Sequence, residues 1–196
     1  MIKRLWENLQ IRLRPDWQRP EVVALYGAAA AQARREEFYR AAAVPDTLDG
    51  RFELLTLHLA LMMLRLRDVP GRDAARMRQH LFDFLGADMD RNLREMGVGD
   101  MGILRRVKAM GQAFYGRLAA YDAALAQGGE AALMTALDKN LYGTVPTAPG
   151  ALRRMADYVV RARAGLDSCP PERLLRGDYV FEVFFHDETA LKVVHG

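Results

Sequence analysis

Residues 97–102, Gly-Val-Gly-Asp-Met-Gly, have the spacing of a dinucleotide-binding fingerprint. Asp122 lies about twenty residues beyond Gly102, where an acid would hold a ribose hydroxyl. That chemistry needs a buried strand running into the first glycine, so that backbone N–H groups meet a pyrophosphate at the start of the next helix. What precedes Gly97 is different: Asp90, Arg91, Arg94 and Glu95 interleave with Met89, Leu93 and Met96 at helical spacing. Gly97 then reads as the left-handed stop of one helix and Asp100 as the N-cap of the next, with a short turn joining two antiparallel helices.

The other reactive residue types fare no better as catalysts. Asp88, Asp90 and Asn92 imitate the first ligands of a calcium loop, but Leu93 stands where that loop needs glycine and Gly99 where it needs a bidentate glutamate. Asp90 and Arg94 instead have the spacing of an ion pair on a helix surface. His58 lies inside an apolar run, which suits a hydrogen-bonded core histidine better than a haem ligand, and His80, His186 and His195 lack a paired metal-site spacing. Cys169 is the sole cysteine, so no internal disulfide forms. With no Ser-His-Asp pattern, phosphate loop or H-E-x-x-H helix, the expectation is no enzymatic chemistry, no cofactor and no metal. Arg105, Arg106 and Lys108 form the densest basic cluster, read as one face opposite the apolar side of a helix. Such a face meets RNA, acidic lipid or a protein, or is simply solvated.

The elements that must position these residues are helices. The 196-residue chain is 51% hydrophobic and 27% charged with a net charge of +3, a composition for one well-filled helical core. The expected fold is all-α: a single-domain bundle of about six to eight helices with a short irregular or extended C-terminal tail. Pro20 opens a helix that continues toward Phe38 and Tyr39. Asp46 or Thr47 caps a second whose apolar residues between Phe52 and Leu66 cover nearly every face, making it central. Glu53, Thr56, His58 and Arg65 interrupt that run too often for a membrane span. A third helix runs from Arg72 to Met96 with Met96 on its inner side. A fourth carries Ile103, Val107, Met110, Phe114, Leu118, Tyr121 and Leu125, where Gly111 and Gly116 suggest close approach of another backbone. Further helices are expected at 130–142 and 151–164. Gly165 to Pro171 reads as a linker and Tyr179 to Phe185 as a short extended piece. The organisation is a basic amphipathic segment at 1–19, a helical domain at 20–164, and a linker with tail at 165–196. The opening residues lack the apolar centre and cleavage site of a secretory signal; Ile2, Leu5, Trp6, Leu9 and Leu13, flanked by Lys3, Arg4, Arg12 and Arg14, could lie in a membrane interface or pack on a core.

Four blocks occur in order: PDTLDGRFELLTLHL from Pro45, DMDRNLREMGVGD from Asp88, AFYGRLAAYDAAL from Ala113 and LDKNLYGTV from Leu137. Together they make residues 25–164 resemble the ubiquinol-cytochrome c chaperone family. The resemblance implies a helical, non-enzymatic factor in the assembly of respiratory complex III. Mitochondrial members of that family help receive newly made cytochrome b, with a small partner protein, near the ribosome. The expected partners are therefore newly synthesised cytochrome b, a small partner protein, the ribosome and a peripheral membrane contact, with the oligomeric state left open. The expected location is the cytoplasm of a bacterium, peripheral to the inner membrane, or the mitochondrial matrix in a eukaryote. The alternatives are a membrane-surface or RNA-binding adaptor and, more remotely, a cofactor enzyme at the glycine turn.

A chaperone for an apolar client needs adaptable apolar contacts, and methionine is flexible and polarizable. Candidate contacts are Met62, Met63, Met96, Met101 and Met110, all of which helix periodicity places equally well in a core. Asp49, Gly50 and Arg51 serve either as a polar rim for a partner or as helix-start chemistry. Asp90, Arg94, Arg105, Arg106 and Lys108 complete the set.

Overall fold

The computed structural model describes residues 15–143 and 145–182. Helices dominate: α1 (Pro20–Ala33), α2 (Glu36–Arg40), α3 (Leu48–Arg67), α4 (Arg72–Glu95), α5 (Asp100–Gln127), α6 (Glu130–Leu137), which runs on as a π-helical turn (Asp138–Tyr142), α7 (Pro149–Ser168) and α8 (Pro171–Leu175). Among the described residues there is no strand, and no helix is long and apolar enough to cross a membrane.

The central helix is α3, as its all-round apolar pattern requires. Leu54, Leu57, Leu59, Leu61, Met62 and Leu66 are fully buried, and α1, α4, α5 and α7 pack around it. Burial of each such side chain contributes about 1.5–3 kcal/mol. Thr47 starts α3 by accepting a hydrogen bond on its hydroxyl oxygen from the Gly50 N–H at 3.1 Å. At the other end Arg65 donates to the carbonyls of Leu166 (2.9 Å), which also accepts from the Cys169 N–H, and of Cys169 (3.2 Å), tying α3 to the end of α7.

The turn between α4 and α5 forms as the glycine pattern predicts. Gly97 has φ 78°, the Val98 N–H bonds to the Leu93 carbonyl and the Gly97 N–H to that of Arg94, the paired bonds of a Schellman stop. The expected N-cap does not form: Gly99 occupies that position and Asp100 is the first helical residue, its carboxylate held by Arg94 at 2.6 Å instead of by its own backbone.

Four further expectations are corrected. The first helix does not run through to Tyr39. It stops after Ala33, where the Tyr39 hydroxyl caps the Ala33 carbonyl at 2.6 Å, and the redirected chain drives Phe38 against His58 and Tyr158. Met96 lies past the last helical turn of α4 and is half exposed, not on the inner side. Residues 165–168 are helix, not linker, because the buried sequence Val159, Ala162, Leu166 keeps its period past Gly165; the boundary expected at 164 falls inside α7. A methyl group at Gly111 would meet the ring of Phe82 at 3.3 Å, and one at Gly116 would meet open space, so neither glycine accommodates a neighbouring backbone. Tyr179–Glu182 is irregular, with Phe181 buried; the rest of the expected extended piece, and residues 1–14 of the amphipathic segment, lie outside the described residues.

Candidate client groove

The helical geometry of α1, α3, α4 and α5 leaves a groove of about 440 Å³ at one end of the bundle. Its floor is apolar: Phe52 and Leu55 from α3, Leu85, Met89 and Leu93 from α4, and Met110 from α5. Leu48 and Met96 also line the groove and stand well out of the bundle, 67% and 54% exposed. Large apolar residues this exposed beside a concave apolar surface are what a site for an apolar partner requires.

Charges ring the mouth. Asp49 and Arg51 come from the first turn of α3, Arg34 from the end of α1, Arg106 from α5 and Asp88 from α4. Asp88 is already engaged, accepting hydrogen bonds from the Tyr26 hydroxyl and from Arg91, each at 2.8 Å. Burial, with the neighbouring Asp88 carboxylate, pushes the Tyr26 hydroxyl well above its ordinary pKa, so it remains a donor. Arg51 is tied to Asp46 at 2.7 Å and stacks over the Tyr39 ring.

The groove gathers some of the sequence-derived candidates and separates the rest. Asp49, Arg51, Met96, Arg106 and Met110 meet there. Met62 and Met63 are 0% and 3% exposed in the core, so both leave the candidate surface: every face of α3 at that level is covered by another helix. Gly50 is buried and structural, because a methyl group there would lie 2.0 Å from the Pro45 carbonyl oxygen. Asp90 and Arg94 pair at 2.8 Å outside the groove. The three bases of α5 do not share a face. Arg106 lines the groove, whereas Arg105 and Lys108 point with Met101 to open solvent, since successive residues turn about 100°.

Sequence reasoning missed Tyr26, Phe52, Leu55 and Asp88 as groove residues. The apolar three carry the same periodic signal as core positions, and Asp88 drew notice only as a false calcium ligand. Phe52 and Met110 also line a second hollow, of about 610 Å³, bounded by the start of α3, the middle of α5 and the π-helical turn.

Away from the groove, His58 behaves as a core residue. Its Nδ1–H donates to the Leu54 carbonyl at 2.7 Å, which fixes Nε2 as the acceptor for the Tyr158 hydroxyl, also at 2.7 Å. Gln32 donates to the Tyr158 oxygen and to the Glu182 carbonyl. Burial lowers the His58 pKa to about 4, so the ring is neutral. Among the described residues no cluster of His, Cys, Asp and Glu could hold a metal ion.

Three comparisons bear on this architecture. The family model described as Ubiquinol-cytochrome C chaperone matches residues 40–181, which include all of the groove except the part supplied by α1. The Xenopus laevis protein named Ubiquinol-cytochrome-c reductase complex assembly factor 1 is 24% identical over 151 residues, 77% of this chain and 74% of its own length. The human protein of that name is 25% identical over 151 residues, and the chain spans 50% of its length. The crystal structure of the Cbp3 homolog from Brucella abortus superposes with a TM-score of 0.77 at 32% identity, covering 94% of this chain and 98% of that one.

Proposed function

The chain belongs to the ubiquinol-cytochrome C chaperone family, and from that premise we propose that it is a non-enzymatic assembly chaperone that holds an apolar segment of newly made cytochrome b in the groove between α1, α3, α4 and α5. The observation that carries the reading is the apolar floor with Leu48 and Met96 exposed on its lips, inside the stretch the family shares. A groove of this size takes a few side chains of one helix, not a whole membrane protein. Engagement is therefore local, and release can stay fast enough for handover to the assembling ubiquinol-cytochrome c reductase.

The charged mouth adds direction. Arg34, Arg106 and Asp49 line the mouth beside the already paired Arg51 and Asp88, so a client helix ending in charged residues is met by either sign. In a bacterium the handover takes place in the cytoplasm at the inner membrane; in a eukaryote, in the mitochondrial matrix. A small partner protein and the ribosome are accommodated on surfaces outside the groove.

The test is residue-specific photo-crosslinking in cells. A photo-reactive side chain at Met96 is expected to capture cytochrome b, and the same group at Val160, exposed on α7, is not. Capture from Val160 and not from Met96, or no cytochrome b from either in cells that assemble the complex normally, would remove the groove from the function.

A further inference from the structure

Helix α5 presents a second surface that faces away from the groove. Met101, Lys108, Gln112 and Tyr115, with the neighbouring pair Leu104 and Arg105 between the first two, fall within one arc of about 100° around the helix axis, and all six are exposed. They form one stripe roughly 20 Å long on a single helix face. Met101 is 86% exposed and Leu104 71%, the highest values for large apolar residues within α5. No acidic residue occurs from Met101 to Tyr121. Among the described residues Arg105 and Lys108 form no ion pair, whereas Arg94 on the adjoining turn is held by Asp90 and Asp100.

Those properties together select the partner. A merely solvated helix face mixes acids with bases and holds few large apolar tips. A nucleic-acid face uses cations and polar donors, and gains nothing from projecting methionine and leucine. Projecting apolar side chains beside unopposed cations match the boundary of an anionic bilayer. There aliphatic groups enter the acyl edge, cations meet lipid phosphates, and a tyrosine sits at headgroup level.

We propose that the outer face of α5 docks on the surface of a membrane containing anionic lipid, with Met101 and Leu104 in the acyl boundary and Arg105 and Lys108 on the phosphates. Arg106, turned about 100° from Arg105, then leaves the mouth of the groove beside the bilayer and not buried in it. The docking stands on its own observations and does not depend on which segment fills the groove.

The experiment floats the full chain with phosphatidylcholine vesicles made with and without phosphatidylglycerol. Binding is expected only when the anionic lipid is present, and Arg105→Glu with Lys108→Glu is expected to weaken it about tenfold or more. Lys3→Glu with Arg4→Glu, in the basic N-terminal segment, is expected to leave α5 still engaged. That engagement is read directly by an environment-sensitive fluorophore on Leu104→Cys, which shifts to the blue on anionic vesicles, while the same label on Val160→Cys does not. Circular dichroism checks that helical content is unchanged in each variant. The proposal is overturned if the charge reversal on α5 binds vesicles like the parent, if the Leu104 label stays silent on floated protein, or if single-stranded RNA binds through Arg105 and Lys108 while anionic vesicles do not.

Discussion

Glu53 of α3 and Arg117 of α5 form a two-pronged, partly buried ion pair between their helices, with only 14% and 23% of their side chains exposed. Burial pushes the Glu53 carboxyl up and the guanidinium opposes it. The pair joins the central helix to the helix that supplies both the groove wall and the outward stripe, so its loss reaches both surfaces.

Glu53→Gln is expected to destabilise the protein by on the order of 3 kcal/mol, because it leaves a largely buried guanidinium without its counter-charge. Replacing both partners, Glu53→Leu with Arg117→Met, should cost markedly less than the single change. Chemical denaturation of the two variants decides it: equal losses would mean that the ion pair has no structural coupling.

A proton on His58 would be costly in the fold. Its pKa is about 4 folded against an ordinary 6.5, so between those values the unfolded chain binds more protons than the folded one. Stability from this group is complete above pH 6.5 and drains away as pH falls toward 4, reaching a loss of about 3 kcal/mol. Denaturation of the parent and of His58→Gln across that range should show a steeper acid loss in the parent; parallel curves would show that the buried ring is not the sensor.

The Asp49–Gly50–Arg51 turn separates by role. Gly50→Ala forces a methyl group into the Pro45 carbonyl and should cost about 3 kcal/mol or more, read as a lowered Tm. Asp49→Ala and Arg51→Ala, on exposed positions, should stay within about 0.5 kcal/mol of the parent while weakening client capture from Met96. Client capture unchanged in both would confine the turn to a structural part.

Much of the bundle is readable from one-dimensional pattern. The apolar encirclement of α3, the stop at Gly97 and the Thr47 cap are local chemistry, and local chemistry leaves a local signature. The break at Arg34 and Arg35 does not, because its cause is the placement of Phe38 beside His58 and Tyr158, residues far along the chain. The same limit governs the candidate site. Periodicity says that Met62 and Met96 both lie on helices with an inner side, but only packing shows that one is enclosed and the other is on a lip. Adjacency in sequence also misled for Arg105 and Arg106, which sit on different faces of one helix.

The hydrogen bonds that join His58, Tyr158 and Gln32 have a consequence for folding fidelity. Helices rich in leucine and alanine offer one another many nearly equivalent meshings, and a greasy interface alone discriminates poorly among them. An imidazole in that interior demands a carbonyl on one nitrogen and a hydroxyl on the other, so rotating α7 or sliding it by a turn would strand a polar atom in oil. This protein thus carries a combination lock at its centre, set by three side chains that touch neither the groove nor the outer stripe.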